Sequence, residues 1–308
     1  MAISNYTQDD VLQSFRQLCA AQSIATEEVH KELTILAVVN IFLSIFAILG
    51  NTVILVALNK VSFLHSQSRL LFRSLVTTDL CVGIIVEPLF VGFLISIVKE
   101  NWILCFYMAQ VSGVTGYALC ATSLLILTAI SVDRLLALLP GIRYRQVVTT
   151  RRVRLMVTLS WVVTIFFSTM YSWNYRISLW YVQTLIILCS FISLISYTKI
   201  FLRLRHHQVQ TQDRINPAHS FPTRMARFRK TVISALWVHL AFVFCYLPLV
   251  IVKVLEVVFG LSSSLRIANL SSGTLVYLNS AMNPIIYCWR ITEVRKAVRN
   301  MLKKTFAR

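Results

Sequence analysis

The sequence predicts an all-α membrane protein, a bundle of seven transmembrane helices with a short amphipathic helix at its C-terminal end. The first observation is composition: 57% of the 308 residues are hydrophobic, 14% are charged, and the mean hydropathy is +0.70. A soluble chain of this length would need far more polar surface. The second is that the apolar residues fall into seven segments, each near the roughly 20 residues that a spanning helix needs.

The seven predicted spans follow one another after a polar start. They lie at 34–58, 70–93, 105–135, 153–172, 178–202, 230–254 and 267–289. The chain therefore divides into an N-terminal tail (1–33), a seven-transmembrane domain (34–289) and a C-terminal amphipathic helix and tail (290–308). No internal repeat is evident, which counts against a transporter built from duplicated halves.

The net charge of +18 could suggest a nucleic-acid partner, but the positions of the basic residues exclude it. With the N-terminus outside, 24 of the 30 Lys and Arg residues fall in the inner loops, their flanks and the C-terminal tail. This bias predicts a multi-pass plasma-membrane protein with an extracellular N-terminus and a cytoplasmic C-terminus. No cleavable signal peptide is expected, and Asn5 begins a glycosylation sequon on the outer side.

The C-terminal region combines a helically spaced apolar stripe with basic residues. The stripe consists of Val294, Ala297, Val298 and Met301, and the basic residues around it are Arg295, Lys296, Arg299, Lys303 and Lys304. A basic amphipathic helix of this kind lies on the anionic inner leaflet, so membrane lipids are expected partners.

Three features inside the spans carry polar chemistry. Asp79 is the only acid deep in the second span, where an ionisable residue is costly and usually functional, although a structural, water-linked carboxyl is the alternative. Asp133 and Arg134 lie at the end of the third span, where their opposite charges can neutralise each other. The alternative is that Arg134 extends to the lipid headgroups. Pro284 frees a backbone carbonyl in the seventh span and predicts a hinge.

Together the motifs resemble those of class A (rhodopsin-like) G-protein-coupled receptors over residues 34–301. The matching residues are Gly50, Asn51, Leu75, Asp79, Pro88, Ser123, Asp133, Arg134, Trp161, Tyr197, Ile200, Phe242, Cys245, Pro248, Asn279, Ser280, Asn283, Pro284 and Tyr287. The resemblance implies a receptor, and no enzyme, that passes an extracellular ligand signal to heterotrimeric G proteins through outward movement of the sixth helix. Arrestin and a receptor kinase are further candidate partners. The alternative is a multispan transporter or channel, which would need a continuous polar path.

The resemblance also assigns roles to individual residues. It implies no cofactor other than an allosteric sodium ion, held by oxygens, which suit a hard cation. The sodium network consists of Asn51, Asp79, Ser123, Asn279, Ser280 and Asn283, with Asp79 and Ser123 as the metal ligands. The G-protein coupling and switch residues are Asp133, Arg134, Tyr144, Tyr197, Phe242, Tyr246, Pro248, Pro284 and Tyr287.

Two departures from the family pattern concern the switch. Tyr246 replaces the usual Trp two residues before Pro248, yet it remains a large aromatic with a polar tip. Phe228 stands where many members place an acid that holds Arg134 to the sixth helix. Without that acid the inactive state is less secured, so we expect measurable basal activity.

Another departure lies at the outer end. The family's third-helix cysteine position is Ala109, Cys105 lies one turn further out, and 170–179 contains no cysteine. Cys19 is a candidate disulfide partner for Cys105, a pairing that the sequence leaves open. The short second outer loop, and Cys189 in place of a proline, are similar to the melanocortin branch, with adenosine, cannabinoid and lysolipid receptors as relatives.

The ligand pocket is expected in the outer half of the bundle. Its candidate residues are Glu87, Gly116, Tyr117, Tyr246, Lys253 and Tyr277. Gly116 occupies the position where amine receptors place an aspartate, which disfavours a biogenic amine. Glu87 could pair with a ligand cation, pair with Lys253, or face a water-filled vestibule. The short second outer loop leaves an open mouth, which favours a peptide ahead of a lipid or a nucleoside.

Overall fold

The computed structural model describes residues 27–60, 66–139, 144–212, 221–260, 262–290 and 294–300, which are almost entirely helical. The long helices are α1 (Glu27–Lys60), α2 (Ser66–Val98), α3 (Trp102–Leu136), α4 (Thr150–Trp173), α5 (Tyr175–Gln212), α6 (Phe221–Phe259) and α7 (Ser263–Arg290). A helical turn at Tyr144–Val147 precedes α4, and α8 occupies 294–300. The predicted all-helical bundle of seven long helices is confirmed.

Each predicted span lies within one helix, but the helices extend beyond the apolar segments. The largest extensions are those of α5 and α6, which continue to Gln212 and begin at Phe221 on the inner side. Hydropathy detects only the part of a helix that matches the hydrocarbon core, whereas backbone hydrogen bonding continues into polar sequence. Asn174 alone separates α4 from α5, so the second outer connection is as short as the sequence suggests.

Among the described residues, the helices α1 to α6 contain segments long and apolar enough to cross a membrane. The seventh helix falls below that criterion because polar side chains run along its buried face. Those side chains are Ser272, Thr274, Asn279, Ser280 and Asn283. A helix with this composition spans a bilayer only when its polar face meets other helices, which is the arrangement that the bundle provides.

Large apolar side chains cover the outside of the bundle. Examples are Phe42, Phe46, Phe166, Phe191 and Phe244, each more than half exposed. In water such a surface would drive aggregation, whereas lipid tails solvate it well. The buried interior instead holds many hydroxyl, amide and carboxyl groups, as is typical where transmembrane helices pack through small and polar residues.

The central helix is α3, which packs against α2, α4, α5 and α6. The seventh helix closes the bundle by packing against α1 and α6. Side chains at the helix ends satisfy free backbone groups: Asn101 accepts a hydrogen bond from the Leu104 amide at 3.1 Å, and Thr149 accepts one from Arg152 at 3.3 Å. This packing brings the polar faces of α2, α3 and α7 together in one interior.

Candidate functional site

Asp79 lies at the centre of the interface between α2 and α7. Its side chain is fully buried. The Ser280 hydroxyl donates to Oδ1 at 3.1 Å, and the Asn283 amide donates to Oδ2 at 2.8 Å. Hydrogen bonds to a charged acceptor are about twice as strong as neutral ones, so these two bonds tie α7 to α2 beside Pro284.

Asn51 connects α1 to the same region of α7. Its amide nitrogen donates to the Ala47 carbonyl at 2.9 Å and to the Ser280 carbonyl at 3.1 Å. One turn of backbone is exceptionally close here, because a Cβ built on Gly50 would lie 2.9 Å from the Cβ and Cγ atoms of Pro284. Only glycine at position 50 lets the proline-containing turn of α7 approach α1 in this way.

Ser123 is placed near this network but is bonded elsewhere. Its hydroxyl donates to Thr78 Oγ1 at 2.8 Å, and Thr78 donates to the Leu75 carbonyl at 2.7 Å. Ser123, which the resemblance assigns to the sodium site together with Asp79, bonds to Thr78, and Thr78 is a member of the network that sequence analysis missed.

The Asp79 network contains oxygens without partners. In the described part of the chain, Asn51 Oδ1, Asn279 Oδ1 and Asn283 Oδ1 are buried and accept no hydrogen bond. Neutral amide oxygens beside a carboxylate form the kind of ligand set that a hard monovalent cation takes. No group of three or more His, Cys, Asp or Glu occurs among the described residues, so a transition-metal site has no support there. The residues present fit sodium.

A second polar cluster closes the inner end of α3. Asp133 and Arg134 are both more than nine-tenths buried. The Arg134 guanidinium contacts the Asp133 carboxylate and the Ser68 hydroxyl, and Ser68 donates to Asp133 Oδ2 at 2.9 Å. Ser68 belongs to α2, and only tertiary packing brings it here, which explains why sequence analysis did not identify it.

Tyr144 completes this inner cluster from the helical turn that precedes α4. Its hydroxyl donates to Asp133 Oδ1 at 2.6 Å. Burial, and then this hydrogen bond to the carboxylate, raises the pKa of Tyr144 to about 12. The phenol therefore stays protonated at neutral pH and acts as a donor, so Asp133 is bonded at both oxygens. Tyr144 therefore lies against the Asp133-Arg134 pair at the inner end of α3.

The two other tyrosines predicted for coupling lie on separate helices and do not bond to Arg134. The Tyr197 hydroxyl on α5 accepts a hydrogen bond from Ser131 at 3.0 Å. Tyr287 is buried, its ring lies edge-on against Phe72 at 5.7 Å, and its hydroxyl has no partner among the described residues. Among the described residues, Arg134 bonds to Asp133 on its own helix and to Ser68 on α2.

An aromatic column joins the outer and inner halves of the bundle. The Tyr246 ring stacks on Phe242 with centroids 3.9 Å apart, and Phe242 stacks on His239 at 6.1 Å. His239 in turn contacts Tyr197 at 5.7 Å. The spacing of residues 239, 242 and 246 places them on one helix face, below Pro248. His239 was not among the predicted switch residues, although it is the only histidine inside a predicted span.

Glu87 is fully buried on α2 and faces the interior because the helix changes its winding there. Residues Val82–Val86 form a π-helical turn, and the Glu87 amide bonds to the Val82 carbonyl, five residues back. Pro88 has no amide hydrogen and so cannot bond to the carbonyl four residues back. Inserting a π turn rotates all residues that follow it, and such turns are frequent at functional sites.

Other pocket candidates surround Glu87 on α3 and α7. A Cβ built on Gly116 would lie 3.5 Å from the Tyr277 hydroxyl. The Tyr277 ring is edge-on to Phe90 at 5.2 Å, and Tyr117 lies against Tyr171 at 5.4 Å. The structure thus brings Glu87, Gly116 and Tyr277 together below an aromatic wall.

The interpretation that Glu87 pairs with Lys253 is wrong. Lys253 lies near the outer end of α6, and its amine bonds to Glu256 at 2.8 Å, one turn along the same helix. Lys253 and Glu256 are neighbours on one helix, so they can pair however the helices pack. A pair between Lys253 and Glu87 would require α2 to lie against α6.

Several predicted positions fall outside the described residues. Cys105 is buried in the first turn of α3, whereas Cys19, its candidate disulfide partner, lies in the undescribed N-terminal segment. Asn5 lies in the same segment, and the side chain of Phe228 is likewise not described. These predictions stay predictions.

Comparison with known proteins relates the whole bundle to one family. The family model described as 7 transmembrane receptor (rhodopsin family) matches residues 50–177 and 169–287. Adenosine receptor A3 of Ovis aries is 27% identical over 297 residues, covering 86% of this chain and 88% of that protein. The high-affinity lysophosphatidic acid receptor of Xenopus laevis is 23% identical over 314 residues, with coverages of 88% and 83%. Trace amine-associated receptor 8b of Rattus norvegicus is 25% identical over 293 residues, with coverages of 85% and 84%.

Proposed function

The chain belongs to the rhodopsin family of seven-transmembrane receptors, and we propose that it couples an extracellular ligand to a heterotrimeric G protein through outward movement of α6. Membership makes it a multi-pass plasma-membrane receptor and not an enzyme. The predicted likeness to the adenosine and lysolipid branch agrees with two of the relatives.

The observation that carries the proposal is the closed cluster around Arg134. The guanidinium is held by Asp133 and Ser68, and Tyr144 caps the other carboxylate oxygen. A guanidinium that is buried and paired within the protein is not presented to a partner protein. Release of Arg134 would present five N–H donors at the inner mouth, where a G-protein helix could accept them.

The aromatic column supplies the link to the ligand. Tyr246 lies at the base of the outer half, and its stack through Phe242 and His239 ends at Tyr197 on α5. Pro248 weakens the backbone of α6 just above that stack. A ligand that displaces the Tyr246 ring would therefore move the part of α6 below Pro248 as a rigid body.

Sodium is the proposed allosteric ion. Asp79 and the buried amide oxygens of Asn51, Asn279 and Asn283 would hold it, with Ser123 available after its hydroxyl turns away from Thr78. When bound, it would supply positive charge to a buried carboxylate and hold α2, α3 and α7 in the inactive arrangement.

The orientation of the chain and its further partners are also proposals. The charge bias supports an extracellular N-terminus and a cytoplasmic C-terminus. In α8, Val294 is buried, Ala297 and Val298 pack against the core, and Arg295 and Lys296 are exposed. This amphipathic surface supports contact with anionic lipids. Arrestin and a receptor kinase follow from the family alone.

A peptide remains the ligand class that we rank first. The single residue between α4 and α5 leaves little chain to cover the mouth. A QRFP-like peptide receptor of Branchiostoma floridae is 24% identical, but relatives named for adenosine, lysophosphatidic acid and trace amines match about as well. A nucleoside or a lipid is therefore the second choice.

The test is basal signalling in cells that express the chain with an N-terminal tag. Surface staining of unpermeabilised cells reports the orientation, and cAMP, inositol phosphate and G-protein dissociation report coupling. We expect a basal signal that Arg134→Ala abolishes at equal surface staining, because the variant has no guanidinium to present to the G protein. Arg73→Ala, which removes an exposed arginine of α2, is the matched control and should retain the signal.

Equal signals from the parent and Arg134→Ala would contradict the coupling role of Arg134. A silent parent with good surface staining would contradict the expected basal activity that follows from Phe228. Staining only after permeabilisation would contradict the orientation.

A further inference from the structure

We propose that Glu87 anchors a cationic group of the ligand, an ammonium or a guanidinium, in the outer half of the bundle. The proposal deepens the receptor function and rests on it, since only a receptor needs a ligand there. Gly116 leaves α3 without the acid that amine receptors place there. The proposal assigns the acid that recognises the ligand to α2 instead.

The first argument is that the Glu87 carboxyl group is buried and unsatisfied. Its side chain has 0% exposure, and neither Oε1 nor Oε2 accepts a hydrogen bond within the described part of the chain. Buried polar groups in folded proteins almost always have partners, because an unpaired one costs free energy. A carboxylate is the most expensive group to leave in this state, so its partner is expected from outside the chain.

The second argument is that the part of the chain that the structure describes gives Glu87 no counter-ion. The ion pairs among the described residues are Lys31–Glu27, Arg134–Asp133 and Lys253–Glu256, and none includes Glu87. Lys253 was the candidate cation in the outer half, and its amine bonds to Glu256 on its own helix. The position opposite Glu87 is thus left to a cation that arrives with the ligand.

The third argument is that the backbone directs Glu87 inward. The π-helical turn at Val82–Val86 sets the rotation of the outer part of α2, with Glu87 and Phe90 buried and Pro88 exposed. At the exposed position 88, a long acidic side chain could extend towards lipid headgroups or water. The local winding instead holds the acid in the interior.

The fourth argument is the chemistry around the carboxyl group. A Cβ built on Gly116 would lie 3.4 Å from Val86, the residue before Glu87, and 3.5 Å from the Tyr277 hydroxyl, so α2, α3 and α7 meet next to Glu87. Phe90 packs edge-on against Tyr277 at 5.2 Å. Aromatic faces next to a carboxylate are the combination that binds ammonium and guanidinium groups best.

The depth of the site limits what can reach it. From Glu87 to Val98, the outer end of α2, the helix rises about 16 Å at 1.5 Å per residue. A small amine can enter whole, and a peptide can reach the site with an extended arginine or lysine side chain. Both sources present the same cationic group.

The experiment measures the charge preference of the site with thiol reagents. In the full-length receptor, Gly116→Cys places a thiol next to Val86, the residue before Glu87, and a Cβ there makes only ordinary contacts, at 3.4 Å to Val86 and 3.5 Å to Tyr277. The rates of labelling with cationic aminoethyl and neutral methyl methanethiosulfonate are compared, with the Gly116 parent as background. The ratio of cationic to neutral rates should fall about tenfold when Glu87→Gln is added, which corresponds to about 1.4 kcal/mol.

Two results would overturn the proposal: a ratio that does not change with Glu87→Gln, or no labelling at Gly116→Cys. Protection identifies the source. Protection by 2-phenylethylamine, and not by neutral 3-phenyl-1-propanol, supports a small amine, whereas protection by a tetra-arginine peptide supports a basic side chain. Protection by none of these at millimolar concentration would also overturn it.

The same cells are assayed for the Arg134-dependent basal signal. A signal lost in Arg134→Ala together with an unchanged labelling ratio would reject the cation site alone. A labelling ratio that depends on Glu87, without any Arg134-dependent signal, would reject the coupling function alone.

Discussion

The inner and outer halves of the bundle treat buried carboxylates differently. Asp79 and Glu87 lie on the same helix, about two turns apart, and both have 0% exposure. Both oxygens of Asp79 accept hydrogen bonds, from Ser280 and Asn283, whereas neither oxygen of Glu87 has a partner among the described residues. Burial alone therefore does not identify a ligand site; the presence or absence of internal partners does.

The inner end of α3 follows the pattern of Asp79. Asp133 accepts bonds from Ser68 and Tyr144 as well as its contact with Arg134. The two buried carboxylates of the inner half thus have hydrogen-bond partners within the chain, and the bonds of Asp133 hold Arg134 in a closed arrangement. The outer half keeps one acid unsatisfied, which suits a region whose partner is not part of the chain.

The largest loss of stability is expected from adding one methyl group to the inner half, at Gly50. A Cβ at Gly50 would lie 2.9 Å from Pro284, so Gly50→Ala must displace α7 from the Asn51 and Asp79 network. Overpacking of this kind typically costs 1–3 kcal/mol, about 2 kcal/mol here, and should appear as a lower melting temperature of the purified receptor.

Gly273→Ala on the outer part of α7 is the matched control. Its Cβ would lie 3.6 Å from the Phe90 ring, an ordinary contact. Alanine is also the better helix former, by up to about 1 kcal/mol. The control should therefore melt at the parental temperature or above it. Equal losses from both substitutions would mean that the 2.9 Å approach of position 50 to Pro284 does not cause the loss.

A smaller effect is expected from sodium. If the ion binds to the folded receptor at tenfold its dissociation constant, it stabilises the fold by about 1.4 kcal/mol. The parent should melt at a higher temperature in sodium chloride than in choline chloride of equal ionic strength. Asp79→Asn should remove this difference, because it removes the carboxylate that neutralises the ion. A variant that kept the full sodium effect would exclude Asp79 as the ligand.

The smallest effect is expected at Tyr144. Tyr144→Phe removes the 2.6 Å bond to Asp133 but keeps the ring. A hydrogen bond is worth about 1 kcal/mol, so the closed state should lose about that much and basal signalling should rise about fivefold. Reduced signalling at normal surface expression would show that the hydroxyl serves the active state instead.

The sequence predicted the architecture and one half of the site well, for physical reasons. Spanning helices follow from length and apolar composition, which the bilayer fixes. The resemblance assigned Ser280 and Asn283 to the network of Asp79, and both donate hydrogen bonds to its carboxylate. These relations are local in sequence or imposed by the membrane.

The remaining contacts depend on how helices rotate and pack. Ser68 reaches Arg134 only through the packing of α2 against α3, and Ser123 selects Thr78 rather than Asp79. The inward direction of Glu87 depends on a π-helical turn, which Pro88 suggests but does not specify. A one-residue change in winding rotates a side chain by about 100°, so composition and period cannot determine such contacts.

The most direct measurement compares Asp79→Asn with Glu87→Gln by thermal unfolding of the purified receptor without ligand. Both changes turn a buried carboxyl into its amide at nearly constant size. Asp79→Asn should lower the unfolding free energy by about 1.5–3 kcal/mol, because bonds to a charged acceptor are lost. Glu87→Gln should change it by less than about 1 kcal/mol or raise it, because an unpaired buried charge is removed. A loss from Glu87→Gln as large as that from Asp79→Asn would show that Glu87 is satisfied within the protein and would contradict its assignment to a ligand.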